Sequence, residues 1–329
     1  MERNLGFYIV KRALQALPIF FGITILTFFL LCLSPIDPVI AYLGLDVVQQ
    51  MPEEGVARVT QELGLDKPAH VQYILWLKRV CQGDLGYSWI KHQPVLDVII
   101  EKFPATLLLT VTGYSISIIL GIFIGVLSAT KEGSLFDRLS LAINYILYST
   151  PAFLIALLSM LIFVVWLGWL PPCRMTSVTA ETSSFWFSTI DRLKHLILPA
   201  FVLGLSHLAV YTTYIRSGML EALHKEYIIT ARAKGLNERT ITYKHAFRNA
   251  LLPFITLLGL SVPWLISGSV VIETIFAWPG IGRLTYEAAL RSDYMMLMGL
   301  TLFTGTLVIV GNLLADIAYA IVDPRVKYD

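Results

Sequence analysis

Six stretches of this sequence run for twenty or more residues without a single Asp, Glu, Lys or Arg: 13–36, 103–130, 139–173, 196–215, 249–272 and 294–315. A bilayer's hydrocarbon core is about 30 Å thick and a helix rises about 1.5 Å per residue, so roughly 20 helical residues cross it. Each run is long enough. An open strand in hydrocarbon would leave N–H and C=O groups unpaired at several kcal/mol each, so the runs are read as helices despite their many β-branched residues. The expected fold class is therefore all-α and integral to a membrane, with six transmembrane helices.

Composition excludes the obvious rivals. The chain is 56% hydrophobic and 15% charged, where soluble proteins average roughly 25% charged. A formal net charge of +2 is too small for a nucleic-acid binder, whose signature is a clustered basic face. Cys32, Cys81 and Cys173 lie far apart with no Cys-x-x-Cys spacing, which argues against a zinc site or a disulfide framework. The first run follows Lys11 and Arg12 as a signal peptide's would. It is longer than an h-region of about 7–15 residues and no small-residue cleavage site follows, so it reads as a retained anchor.

Basic residues orient the spans. Arg3, Lys11 and Arg12 precede the first; Lys131 and Arg138 lie between the second and third; Arg216, Lys225, Arg232, Lys234, Arg239, Lys244 and Arg248 lie between the fourth and fifth. The alternate loops hold fewer: Arg174, Arg192 and Lys194, then Arg283 and Arg291. Both termini are expected in the cytoplasm. The resulting division is a tail and first helix at 1–36, an external loop or cap at 37–102, and a five-helix core at 103–329 whose loop at 216–249 is cytoplasmic. The third run, with Pro151 inside it, is too long for one simple span. Its end near Trp166, Trp169, Pro171 and Pro172 is expected at the membrane interface.

The basic loop has internal punctuation. Glu221 to Lys234 is rich in helix formers, Gly235 stands where a left-handed C′ residue is wanted, and Asn237 is a fair N-cap for a second helix toward Ala250. A helix-turn-helix is expected, and Tyr227, Ile228 and Leu236 need something apolar to cover them. Orientation charges alone would explain the basic residues but not the glycine between two helical segments.

T-A-R-A-K-G-L at Thr230 to Leu236 and H-A-F-R-N-A-L-L-P at His245 to Pro253 resemble the coupling segment of the inner-membrane permeases of ATP-binding-cassette importers, in the dipeptide, oligopeptide and nickel branch. Ala231 and Gly235 match the family's pattern; Ile229 stands in place of its characteristic Glu, and the distance to Leu252 and Pro253 is longer than in the general motif. The same branch is resembled by Y-I-V-K-R at Tyr8 to Arg12 and by S-P-I-D-P at Ser34 to Pro38, with Ile36 where Gly is usual. Further matches are L-G-L-D-K-P at Leu63 to Pro68, Gln72 with Tyr73, G-D-L-G-Y-S at Gly83 to Ser88, E-T-I-F-A-W-P-G-I-G-R-L at Glu273 to Leu284, and D-P-R at Asp323 to Arg325.

The resemblance implies a subunit of the bacterial inner membrane that is not an enzyme, has no catalytic residues and binds no cofactor or metal. ATP and Mg would be held by partners: two cytoplasmic ATPase subunits or domains, alongside a second homologous permease and an external substrate-binding protein. Glu226, Tyr227, Thr230, Ala231, Arg232, Ala233, Lys234, Gly235 and Leu236 would meet an ATPase. Phe276, Trp278, Pro279, Gly280 and Gly282 would form an outer lip toward the binding protein, or a structural re-entrant turn. Short peptides are the expected cargo, with nickel or metal chelates and glutathione as alternatives.

The residues themselves bear on mechanism. The sequence has no G-x-x-x-x-G-K-[ST], the loop that cradles a nucleotide's phosphates, so a motor must act from outside through the basic loop. A secondary transporter or channel would need ionisable groups inside the spans, which hold almost none. An intramembrane hydrolase would need a nucleophile with a base, and His207 lacks a carboxylate partner at its depth. Asn144, Ser149, Ser206 and His207 are the candidates to line a path, although a lone His is more often a packing residue. Asp316 is expected to cap or pair with a basic residue. Met295, Met296 and Met298 do not share a helix face and read as packing or lipid contact. Gly121 and Gly125 allow a close helix approach, within the chain or to a second permease.

Overall fold

The computed structural model describes residues 5–33, 39–40, 45–88, 90–177 and 184–322. The motifs at Ser34 to Pro38 and Asp323 to Arg325, and Trp89, lie outside them. The described elements are α1 (Leu5–Cys32), α2 (Leu45–Gln50), α3 (Glu53–Leu63), α4 (Ala69–Cys81), a hairpin of β1 (Tyr87–Ser88) and β2 (Gln93–Pro94), α5 (Val95–Thr130), α6 (Leu135–Ser149), α7 (Ala152–Met160), α8 (Phe185–Leu223), α9 (Glu226–Ala233), α10 (Glu238–Thr240), α11 (Phe247–Ser267), α12 (Val270–Ile275), α13 (Ile281–Leu290) and α14 (Tyr294–Val322).

Among the described residues three helices are long and apolar enough to cross a membrane: α5, α8 and Tyr294–Ile317 of α14. A fourth crossing is available if α6 and the segment Ala152–Trp166, bent by 104° at their junction, form one span. The bend falls at Pro151, which cannot donate to the preceding turn, and the segment ends in a wide π-helical turn where the Leu167 N–H reaches Ile162 O at 3.0 Å. Trp166, its last residue, and Trp169 beyond it are largely exposed. The apolar part of α1, Leu14–Phe29, is shorter, and α11 has 21 residues. Within the described residues the greater part of each charge-free run thus falls on a long helix or on the bent pair. One helix begins early: α5 starts at Val95, inside the segment assigned to the external loop.

Glycines decide how the long helices meet. A β-carbon on Gly121 would fall 2.8 Å from Tyr211 Cβ, and one on Gly125 2.8 Å from Ile215 Cβ. The G-x-x-x-G therefore packs α5 against α8 inside this chain. Gly113, facing Leu203 at 2.8 Å, extends the same seam. At its Thr130 end the seam carries an ion pair absent from the sequence reading: half-buried Arg216 donates to both oxygens of buried Asp137 at 2.7 and 2.8 Å. Ser128 and the Gly133 N–H also reach that carboxylate, so Asp137 binds α5, α6 and α8 together.

The loop after α1 folds into α2 to α4 and the hairpin. Tyr73 and Trp76 pack on Phe28 with ring centroids at 5.5 and 5.8 Å, and Thr24 shares a 2.9 Å hydrogen bond with the Tyr73 hydroxyl. Met295, Met296 and Met298 are buried in the same cluster with Val95 and Ile99, so they are packing residues. Asp316 pairs with Arg12 at 3.2 Å. Cys32, Cys81 and Cys173 are free thiols.

Candidate functional site: the α9 elbow and the Glu273 turn

The basic loop folds differently from two independent helices. The long helix α8 continues to Leu223, well past its charge-free run, and the chain breaks at His224 and Lys225 before the short α9. The second helix of the predicted pair is the start of a continuous helical path: α10, a π-helical turn at Ile241–Ala246, and α11. Between them the turn is built as anticipated. Gly235 has φ +78°, the left-handed region that favours glycine. Its N–H reaches Arg232 O at 2.9 Å and the Leu236 N–H reaches Ala231 O at 3.3 Å, the paired bonds of a Schellman ending. Asn237 caps α10 by accepting from the Thr240 N–H at 2.8 Å. Arg232 closes the turn with a two-pronged pair to Glu238 at 2.8 and 3.2 Å, which holds the Glu238 carboxyl below its ordinary range.

The elbow has two unlike faces. Ile228 and Ala231 are buried with Ile215, Met219, Ile241 and Ala246, so Ala231, expected at an ATPase, is a core contact of this chain. The other eight residues expected at an ATPase, Glu226, Tyr227, Thr230, Arg232, Ala233, Lys234, Gly235 and Leu236, are exposed. Ile229, 61% exposed, and Tyr243 add apolar area to Tyr227 and Leu236. Tyr227 is steadied by Asn249, whose Nδ2 donates to its hydroxyl at 3.1 Å. No heavy atom lies within 4 Å of where a Gly235 β-carbon would stand, so the turn's outer side is open. Exposed apolar side chains around this turn make the elbow a candidate interaction surface.

At the opposite end of α5, the segment expected as an outer lip is packed inward. Trp278 and Phe276 are buried, and the Trp278 Nε1–H donates to Ala105 O at 2.7 Å. A buried indole needs such an acceptor; these two side chains therefore serve the core of the re-entrant turn and offer no surface to a partner. Gly280 and Gly282 are buried too and Pro279 half-buried. Their small size makes room for Glu273, a fully buried carboxylate. It accepts from the Thr106 hydroxyl and the Arg283 N–H, both at 3.0 Å, while Thr106 accepts from the Ile281 N–H at 2.7 Å. A β-carbon on Gly280 would lie 2.4 Å from Glu273 Oε2. Burial raises the Glu273 carboxyl to about 7 against the lowering effect of hydrogen bonds from Arg283, Thr106, Gly282 and Ser269. The Arg283 guanidinium points elsewhere, to Ala277 O at 2.7 Å and Glu287 at 2.8 Å. Lys91 also pairs with Glu287 at 2.9 Å, lowering that carboxyl despite desolvation. The sequence marked Glu273 only as part of a motif; its burial follows from glycines that meet it in three dimensions.

The four path candidates are held in different ways. His207 stacks on Tyr114 with centroids 4.5 Å apart, with Tyr211 beyond at 6.4 Å. Ser206 donates to Val202 O of its own helix at 3.1 Å. Ser149 is exposed beside the Pro151 bend. Asn144 is buried, and its Nδ2 has no hydrogen-bond partner.

The chain belongs to the family described as binding-protein-dependent transport system inner membrane component, whose profile matches residues 121–328; the N-terminal profile of the same systems matches residues 5–110. It is thus the permease type of subunit that the sequence resemblance implied. It is similar to the oligopeptide transport system permease protein AppB of Bacillus subtilis (strain 168), at 42% identity over 322 residues covering 98% of this chain and 99% of the relative. It is also similar to the dipeptide transport system permease protein DppB of Alkalihalophilus pseudofirmus, at 37% identity over 334 residues covering 98% and 99%.

Proposed function

We propose that the chain spans a bacterial inner membrane six times, with both termini and the α9 elbow cytoplasmic, and supplies half of a pathway for short peptides. A second, related permease completes the path, two ATPase subunits drive it, and an external binding protein delivers cargo. The six charge-free runs and the distribution of Lys and Arg support the topology. The printed names of two relatives, oligopeptide and dipeptide permeases, support the cargo.

The observation that carries the mechanism is the two-faced elbow. Moving a gate from 1:99 to 99:1 takes about 5.5 kcal/mol, and screened surface ion pairs contribute about 0–1 kcal/mol each, so the motor needs a packed contact. Tyr227, Ile229 and Leu236 are exposed apolar side chains of the elbow; Ile228 and Ala231 are buried in one cluster with the end of α8 and the π-helical turn that leads into α11. A push on the elbow therefore moves those helices. ATPase closure would draw the two permeases' elbows together and open the path outward, and hydrolysis would reset it.

The test is reconstitution of the complete complex, with ATP hydrolysis measured with and without peptide-loaded binding protein. Stimulation that disappears in Ile229→Asp, while the complex still assembles, is the expected result. Peptide movement by this chain alone without nucleotide would overturn the proposal.

A further inference from the structure

We propose that Asp137 and Arg216 are positioning residues that pass motion of the elbow to α6, an inference that rests on the elbow's proposed role. Four donor groups from three elements converge on the Asp137 carboxylate near the start of α6: the Ser128 hydroxyl of α5, the Gly133 N–H of the connecting turn, and Nε and Nη2 of Arg216 on α8. Ser134 caps α6 by accepting from the Asp137 N–H at 3.3 Å, so the residue is also fixed within its own helix. The Asp137 side chain is 3% exposed and that of Arg216 17%.

Arg216 lies on the stretch of α8 that the elbow reaches. Ile215 and Met219, on either side of it in sequence, are fully buried in one cluster with Ile228 and Ala231 of the elbow and Ile241 of the π-helical turn. Gly218 faces Ala250 of α11, where a β-carbon would stand 3.2 Å from Ala250 O. Little more than one turn of α8 thus holds the elbow's cluster, the start of α11 and the anchor of α6.

The helix α6 is joined to α8 differently from α5. Gly121 and Gly125 of α5 interlock with Tyr211, Thr212 and Ile215. The buried residues of α6 are all polar, Asp137, Ser140 and Asn144. They recur at three and four residues and so share one helix face, yet the Ser140 hydroxyl and Asn144 Nδ2 have no hydrogen-bond partner. Among the described residues, the Asp137–Arg216 pair is the one side-chain hydrogen-bonded link between α6 and α8. Stability alone does not call for charges there, because apolar residues of similar volume often replace a buried ion pair without loss. Two parallel N–H···O bonds add a fixed distance and orientation between the partners. Displacing this stretch of α8 therefore displaces the start of α6, and with it the arm that runs to the bend at Pro151.

The test uses the complete complex in vesicles, with ATP hydrolysis stimulated by peptide-loaded binding protein and peptide uptake measured on the same preparation. The double variant Asp137→Asn with Arg216→Leu leaves no buried charge unpaired, so it should assemble. Stimulated hydrolysis should persist, because the exposed elbow surface is untouched, while peptide moved per ATP hydrolysed falls several-fold. Arg216→Lys keeps the charge without the two-pronged geometry; it should lower that ratio by a smaller factor, and it carries the test if the double variant does not assemble. A pair that merely stabilises the fold would change the amount of assembled complex and leave the ratio alone, so a natural ratio in either assembled variant would overturn the inference. Absence of stimulation and uptake in the natural complex would instead overturn the elbow's proposed role, and this inference with it.

Discussion

The buried carboxylate of Glu273 makes stability depend on pH in a direction opposite to that of a salt-bridged acid. Its carboxyl moves from an ordinary 4.5 to about 7 in the folded chain, so between those values the folded state holds a proton that the unfolded state has released. Stability falls wherever the native state binds more protons than the unfolded one. The contribution is therefore fully present below about pH 4.5 and is lost as pH rises through about 7. With each tenfold change in proton affinity worth ~1.4 kcal/mol, the whole change is about 3 kcal/mol, or on the order of 5 °C in Tm for a chain this large. The assay is thermal unfolding of the purified complex in lipid from pH 5 to 8, for the natural chain and for Glu273→Gln. Asp293 is also raised by burial, and Glu287 lowered mainly through Lys91 and Arg283; both titrate in either protein and cancel in the comparison. The difference between the two Tm curves should shrink or change sign with rising pH, because only the natural chain loses a bound proton. Parallel curves would show that Glu273 does not titrate in this window and would refute the reasoning.

Three further outcomes follow from the geometry. Gly235→Leu meets no neighbouring atom but must hold a left-handed backbone, at roughly 1–2 kcal/mol; the chain should still insert and assemble while binding-protein-stimulated ATP hydrolysis collapses, and normal uptake by this variant would remove the elbow's role. Arg216→Leu leaves Asp137 buried without its partner, at about 3–5 kcal/mol; adding Asp137→Asn should restore much of the loss, as measured by the yield of folded complex. Asn144→Leu removes a buried Nδ2 that has no partner, so stability should hold or rise; a path-lining role requires peptide uptake to fall in the same variant, and unchanged uptake assigns Asn144 to packing.

Much of the elbow was legible in the sequence because turn chemistry is local. Gly235 needs a positive φ whatever surrounds it, and Asn237 caps the helix three residues on. The faces of α9 were not legible: eight residues carry too little periodicity to say that Ala231 turns inward while Ile229 turns out. The two readings of the outer turn, a lip or a structural re-entrant turn, could not be separated in the sequence for a related reason. Phe276 and Trp278 sit in a segment dense in Pro and Gly; those glycines open the space in which Glu273 is buried, and both aromatic rings are buried with it. Pro151 announced a break in the third charge-free run, whereas the 104° bend depends on how the two halves pack.

By itself the sequence determined that the chain lives in a membrane, where its helices lie, and which family it resembles, because hydrocarbon forces every backbone group to pair within its own segment. Only the tertiary structure decided which polar groups meet. Asp137 and Arg216 are 79 residues apart, Thr106 and Glu273 are 167, and no local rule connects them. Their pairing exists because glycines let α5 and α8 approach closely and make room beneath the outer turn, where Asp137 and Glu273 are buried and meet these partners.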